Sequence, residues 1–559
     1  MQVRSVVQVA LVTMLFVASA WSHPRHDVVL VNGRIYTANP DRPRVEAVLI
    51  QKGVITALGK TDAVLKKTAP GVRMIDLAGA TAIPGLIDSH GHLMNLGFSL
   101  INLDLIGTES FSQIVNLTAT AAEARQKGEW IQGRGWDQND WPEKQFPNHD
   151  ALSRRTPHNP VMLTRVDGHA SLANAEAMRI AGVDRNTPDP DGGKIIRDAD
   201  GTPTGVFVDK AMGLVGRHVP TTTRKQQIEA INRGVRECLK YGLTSVHDAG
   251  ISVDTVDIYK SLIDEDRFPF RVYGMIRATS PAMLPQLQPF LDEGPIIAYG
   301  DNQLTVRSIK AMTDGALGSR GAALLEDYTD APGNKGLLIT PMESLKNLCV
   351  AALKAGFQVN THSIGDRGNR TALDAYEAAL KEVKTKDHRF RIEHAQIVHP
   401  DDFIRFKKLG VIPSMQATHA TSDMYWAMDR VGETRIRGAY AWRRFLDQGT
   451  PIANGSDFPV ENANPLWGFY ASVTRQDHKQ WPGLGWMPKQ KMTHEEALIS
   501  FTSGGAFAAF EEEVKGTIEK GKLGDIVVLS NNIMKIEPAE ILNTHVVMTI
   551  LGGEVVYQR

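Results

Sequence analysis

A TIM-type (β/α)8 barrel of the α/β class, with a small β-sandwich subdomain and a large insertion after its first strand, is predicted by three observations. Eight apolar, β-rich runs alternate with helix-length amphipathic segments, the pattern of a parallel sheet covered by helices. Residues of metal-ligand type recur where those runs end. Both chain ends carry short strands and glycine turns of one character, which groups them together and outside the barrel. The 559 residues exceed one minimal domain, and the 49 glycines and 28 prolines are dispersed, as many short connections require.

From the N-terminus, Arg4, an apolar run over 6–18 and the small triplet Ala18-Ser19-Ala20 form the charge, core and cleavage pattern of a secretory signal peptide, residues 1–20. The run is short for a bilayer span, so an exported, soluble, periplasmic protein is expected; a retained N-terminal anchor is the alternative. Residues 28–37 and 45–58 are β-branched and broken by Asn32-Gly33 and Lys52-Gly53, and read as a small antiparallel unit. Residues 525–529 and 546–557 echo them. Residues 24–83 and 515–559 are therefore assigned to the β-sandwich subdomain, and 84–514 to the barrel.

The eight expected barrel strands end near Asp88, His247, Met275, Lys310, His362, His394, Ala417 and Asp457. A helix is marked at 345–354, and Thr493-x-x-Glu496 is a capping box. The stretch from about 100 to 241 is longer than any ordinary βα connection and is read as an insertion, a lid or pocket wall.

Composition excludes several functions. Lys and Arg number 62 against 63 Asp and Glu, so no basic field is available for nucleic acid or anionic lipid. Cys238 and Cys349 lie in helix-like segments and read as two buried free thiols, although one disulfide is arithmetically possible. There is no His-Glu-x-x-His, no Cys-x-x-Cys and no Gly-x-x-x-x-Gly-Lys-Ser/Thr phosphate loop; Gly133-x-Gly135 lacks the third glycine of a dinucleotide turn.

The chemistry-bearing residues sit at strand ends. His90 and His92 are two apart, so their imidazoles face the same way. Lys310, His362, His394 and Asp457 close strands four, five, six and eight, at the barrel face where chemistry occurs in this fold. Neutral imidazoles and a carboxylate suit zinc-like ions. An ammonium does not coordinate a cation, but a buried neutral amine can capture CO₂ and become an anionic carbamate; an ion pair with Asp314 is the other reading of Lys310.

The stretches PGLIDSHGH (84–92), GRGWDQNDW (133–141), RVDGHASLAN (165–174), KAMTDGALGSR (310–320), HSIGD (362–366), RIEHAQ (391–396), GSDFPV (455–460) and GTIEKGKLGDIVVL (516–529) carry a resemblance spanning nearly the whole mature chain. The sequence resembles the amidohydrolase superfamily, specifically its YtcJ-like, formamide-deformylase-like branch of metal-dependent hydrolases (amidohydrolase family 3). Leu523-Gly524 before Asp525 is a modest departure.

The resemblance implies two divalent metals, usually zinc: one on His90, His92 and Asp457, one on His362 and His394, with N-carboxylated Lys310 bridging both. It implies hydrolysis of non-peptide C–N bonds in amides, formamides or cyclic amides by a metal-bridging hydroxide, with Asp457 as general acid and base. His169, His419 and Arg320 are the candidates for binding substrate and its oxyanion; a structural role for His169 and an ion pair for Arg320 are the alternatives. His247 and Asp248 would support the pocket wall, and Trp136, Trp141, Tyr425 and Trp426 would line an apolar pocket. An esterase or lactonase using the same site, and a non-catalytic ligand-binding barrel, are the competing functions. The expected partner is a small-molecule substrate, with no nucleic acid and no stable membrane insertion after signal removal; a homo-oligomer is compatible with the sequence.

Overall fold

Eight parallel strands order the centre of the computed structural model, which describes residues 27–279 and 284–559. They are β1 (Leu86–Gly91), β2 (Leu243–Ile251), β3 (Arg271–Arg277), β4 (Leu304–Met312), β5 (Gln358–Ser363), β6 (Arg391–His394), β7 (Ile412–Gln416) and β8 (Ala453–Gly455). Each pairs with its sequence neighbour in one parallel sheet. Just past β8 the ring closes: Asp457 N donates to His90 O at 2.7 Å and His92 N to Phe458 O at 2.8 Å. Every expected barrel strand forms one of these eight. Residues 1–20, read above as a signal peptide, lie outside the described ones, among which no helix is long and apolar enough to cross a membrane.

Helices cover the outside because the strands are buried on both faces. One pair corrects the expected insertion limit. The helix Arg224–Lys240, opened by a Thr223/Gln226 capping box, buries Ile231, Val235 and Leu239 in the barrel core against the helix Leu93–Ser99. Glycines permit the approach, since a Cβ on Gly97 would fall 1.7 Å from Ala230 O. Residues 224–240 are therefore a barrel helix, and the inserted unit ends before them.

Within the insertion, strands from Leu103–Asp104 to Pro203–Asp209 form a separate six-stranded sheet. Trp136 and Trp141 stack in its core, with ring centroids 6.0 Å apart, and do not line a pocket. Trp426 is buried beneath Arg430, and Tyr425 stacks outward on Trp481. None of these four aromatics lines the cavity at the strand ends, contrary to expectation: Trp136, Trp141 and Trp426 are taken up by packing, and Tyr425 stays half exposed against Trp481.

At the far end, Thr81–Pro84 pairs with both Arg34–Tyr36 and Ile526–Leu529, so the two chain ends share one six-stranded sheet. A four-stranded sheet packs on it through Val28, Leu30 and Ile50 against Ile35, Ile526 and Ile550. Lys52-Gly53 makes the expected hairpin, but Asn32-Gly33 does not: Val28–Val31 pairs in the four-stranded sheet and Arg34–Tyr36 in the six-stranded one. The turn signal here marks a crossing between sheets. Arg271 at the start of β3 binds the buried Asp525 carboxylate through two bonds of 2.6 and 2.8 Å, tying the end sheets to the barrel. Cys238 and Cys349 are free and buried.

Candidate metal centre and active site

The C-terminal ends of the strands open into a cavity of about 1320 Å³ whose floor is His90, His92, Lys310, His362, His394 and Asp457. Residues 220 positions apart meet here: Lys310 Nζ is 3.0 Å from His90 Nε2. Asp457 Oδ1 is 3.0 Å from His92 Nε2 and 3.6 Å from His90 Nε2. The His362 and His394 rings are 4.5 Å apart, and His394 is 4.8 Å from His90. Backbone strain accompanies the site, because His394 at φ +74° and Asp457 at φ +60° both occupy the left-handed region.

Each imidazole is aimed from behind. His90 Nδ1 is bonded to the buried Glu393 carboxylate, His92 Nδ1 to Ala249 O at 2.8 Å, and His394 Nδ1 to Gln416 Oε1 at 2.8 Å. Holding Nδ1 this way leaves Nε2 free as a ligand atom and fixes the ring. His362 is turned oppositely, with Nε2 3.4 Å from Gly315 O. Burial drives His90, His362 and His394 well below the ordinary histidine value, so they are neutral, the form that binds metal.

Asp457 stays ionised. Burial would raise its pKa, but His92, His90 and His419 together hold it well below the usual carboxylate range. Its Oδ1 accepts no hydrogen bond although fully enclosed, and the buried His419 Nε2, 3.9 Å from Oδ2, has no partner either. Such unpaired buried atoms are costly unless something occupies the space between them. His90, His92 and Asp457 form one group able to hold a cation, and His394, His419 and Asp457 a second, each with ligand atoms within 4.8 Å. The donor set thus fits divalent metals, and His419, expected to bind substrate, joins the cation-binding geometry.

Lys310 has no bond to Asp314, which instead accepts backbone N–H groups from Ala323, Ile364 and Gly365. Burial pulls the Lys310 amine down to about 8. His169, brought in by the insertion, lines the same cavity 5.2 Å from the His362 ring and is bonded to Asp209 at 2.6 Å. Burial opposes its charge, but Asp209 outweighs this and pushes His169 up to about 9. Arg320 does not join the site: it pairs with Asp330 at 2.9 Å, off the cavity.

Of the residues that support the site, His247 and Asp248 are expected from the sequence, whereas Arg391, Glu393 and the bonding role of Asp88 are not. Asp88 accepts from Ser456 Oγ at 2.6 Å and from His90 N at 3.1 Å, linking the first and last strands beneath the cluster. Arg391, fully buried, contacts His247 Nδ1, Ser89 O, Ser414 Oγ and Glu393. His247 therefore supports the floor through Arg391, while Asp248 fixes Leu93 N at 3.0 Å. A signal did exist: charges at Arg391 and Glu393, alternating inside a buried strand, need partners in the barrel.

Residues 73–557 match the amidohydrolase family. The chain is 31% identical to the YtcJ protein of Bacillus subtilis (strain 168), covering 94% of this chain and 98% of that one. It is 24% identical to the N-substituted formamide deformylase of Arthrobacter pascens, over 95% of this chain and 98% of that enzyme. An uncharacterized metal-dependent hydrolase from Pyrococcus horikoshii OT3 shares 27% identity and a TM-score of 0.74 over 92% of this chain and 99% of its own. The cluster of histidines and a carboxylate in a barrel mouth and this full-length match lead to one conclusion: the chain belongs to the amidohydrolase family.

Proposed function

We propose that the protein is an exported binuclear metal-dependent hydrolase that cleaves a non-peptide C–N bond in a small amide, formamide or cyclic amide. One observation carries the reading: six side chains from five strand ends converge on one cavity, where burial keeps His90, His362 and His394 neutral and the Asp457 carboxylate stays ionised. His90, His92 and Asp457 would hold one metal and His362 and His394 the other, with N-carboxylated Lys310 between them; His419 is placed to assist. When bound, such metals, zinc by preference, lower the pKa of water toward neutrality and polarise the scissile carbonyl.

The chain's own groups do the rest. Asp457 accepts the proton of the attacking water and delivers it to the leaving nitrogen, breaking the C–N bond. His169, cationic at neutral pH and locked by Asp209, donates to the oxygen on which negative charge gathers. The inserted sheet walls the cavity and limits water around the reacting bond. The same groups would cleave an ester or lactone, so the leaving atom is the feature to test. Export rests on the N-terminal charge, apolar core and small-residue triplet.

The test is a screen of zinc-loaded full-length protein against formamides, N-acyl amides, hydantoins and matched esters, alongside Asp457→Asn. Amide turnover that disappears in Asp457→Asn with metal content retained is expected. Turnover of esters only, or of nothing by a fully loaded protein, overturns the C–N assignment.

A further inference from the structure

The cavity wall holds cations that the hydrolytic chemistry does not use. Four carboxylates line the cavity among the described residues, and each is already committed. Asp167 binds Arg165 at 2.6 Å, Asp209 binds His169, Glu229 binds Arg233 at 2.7 Å, and Asp457 belongs to the histidine cluster. Arg134 and Arg277 line the same cavity, and neither is ion-paired among the described residues.

Each guanidinium is instead tethered by one backbone carbonyl. Arg134 Nη2 donates to Val166 O at 2.7 Å, and Arg277 Nε donates to Gly250 O at 2.8 Å. Arg134 Nε is enclosed with no hydrogen-bond partner. A guanidinium has five N–H donors and stays charged, so both retain a donor surface whose direction is already set. Glycines flank them: a Cβ at Gly168 would sit 3.4 Å from Arg134 Nη1, and one at Gly250 3.5 Å from Arg277 Nε. Both arginines adjoin residues of the site: Arg277 is the strand partner of Lys310, and Arg134 is held against Val166 and Gly168, next to His169.

Two tethered, unpaired arginines that line one cavity with the histidine cluster offer donors to an anion attached to the substrate. We propose that the substrate is an amide bearing a carboxylate a few bonds from its nitrogen, of the N-acyl amino acid class, with Arg134 and Arg277 binding that carboxylate. Phe98, Ile101, Met162 and Met212 in the same lining supply an apolar surface for the acyl group or side chain. This rests on the hydrolase reading above and adds the substrate class to it.

Two matched pairs separate the ideas. N-benzoylglycine and N-methylbenzamide differ by the carboxylate and report hydrolysis by the zinc-loaded full chain. β-Benzoylpropanoate and propiophenone are their ketone counterparts, carry no C–N bond, and report binding alone by calorimetry. The acid of the ketone pair is expected to bind about tenfold or more tighter than the neutral member, a ratio falling toward one in Arg134→Gln or Arg277→Gln. Equal binding of acid and neutral ketone overturns the proposal. A preference undiminished in both variants also overturns it, because the metals would then be taking the carboxylate. Hydrolysis of N-methylbenzamide together with equal ketone binding removes the carboxylate site and leaves the hydrolase reading standing. A ketone preference that depends on the arginines, with no C–N cleavage in any amide, supports the anion site and defeats the hydrolase reading instead.

Discussion

His169 Nδ1 lies 2.6 Å from Asp209 Oδ1, and this bond decides the charge that the inserted domain presents to the cavity. Asp209 pushes the imidazole up to about 9 against the pull of burial. A raised histidine pKa keeps the cation fully populated at neutral pH and loses it only as pH rises through that value. Asp209→Asn keeps the shape and removes the charge, returning His169 toward or below the ordinary value near 6.5. At pH 8 kcat is expected to fall about a hundredfold, the scale of losing one oxyanion donor. The deficit should narrow toward pH 6, where the imidazole protonates unaided. Parallel kcat–pH profiles at equal metal content check this, and a deficit constant with pH would exclude a role for the charge.

Gln416 orients the proposed ligand His394 without lining the cavity. Its Oε1 accepts from His394 Nδ1 at 2.8 Å, fixing which nitrogen faces the cluster. Gln416→Leu leaves a buried Nδ1–H without an acceptor and frees the ring. Metal affinity is expected to drop about 10- to 100-fold with the fold preserved. Competition with a chelating dye measures this against circular dichroism of the same samples. Unchanged affinity would show that the ring is held by packing alone.

The barrel and its floor were legible in the sequence for a single physical reason. Strands buried on both faces tend toward apolar, β-rich runs, so a histidine or aspartate closing such a run, as Asp88 and His90 do after residues 82–87, is conspicuous. What aims those residues was not legible. Gln416, Asp209 and Glu393 are ordinary polar residues whose meaning comes from contacts across the fold, the longest being His90 with Glu393, 303 positions apart. Asn32-Gly33 misleads because a tight turn reports local backbone, not the sheet that each flanking strand joins. Arg320 misleads because an arginine inside a matching motif reads the same whether it faces substrate or, as here, Asp330.

The Arg271–Asp525 pair makes the end sheets dependent on the barrel. Both partners are buried, and Asp525 also accepts from Gly552 N at 2.8 Å. Removing one charge leaves the other enclosed and uncompensated, which costs about 3–5 kcal/mol. Asp525→Asn is therefore expected to lower the denaturant midpoint by a corresponding amount. Replacing both, as Arg271→Met with Asp525→Leu, should recover much of the loss, since no charge is then stranded. A double variant as unstable as the single one would point to the Gly552 contact instead.

If Lys310 is the bridging carbamate proposed above, it makes assembly of the centre depend on pH. Burial brings its amine down to about 8. For a base, a lowered pKa enlarges the neutral fraction below that pH: at pH 7 roughly a tenth of the chains carry the free amine, against about three in ten thousand at the ordinary value. Only the free amine attacks CO₂, forming an N–C bond and releasing one proton to give the carbamate. Metal-stripped protein reloaded with zinc in CO₂-free buffer is accordingly expected to recover little activity, and bicarbonate should restore it. At equal dissolved CO₂, restoration should run faster at pH 8.5 than at pH 6.5, with a mass gain of one CO₂ on the peptide containing Lys310. Lys310→Met should show neither response. Full recovery without CO₂, or an unmodified Lys310 in the active zinc form, would eliminate the bridging carbamate.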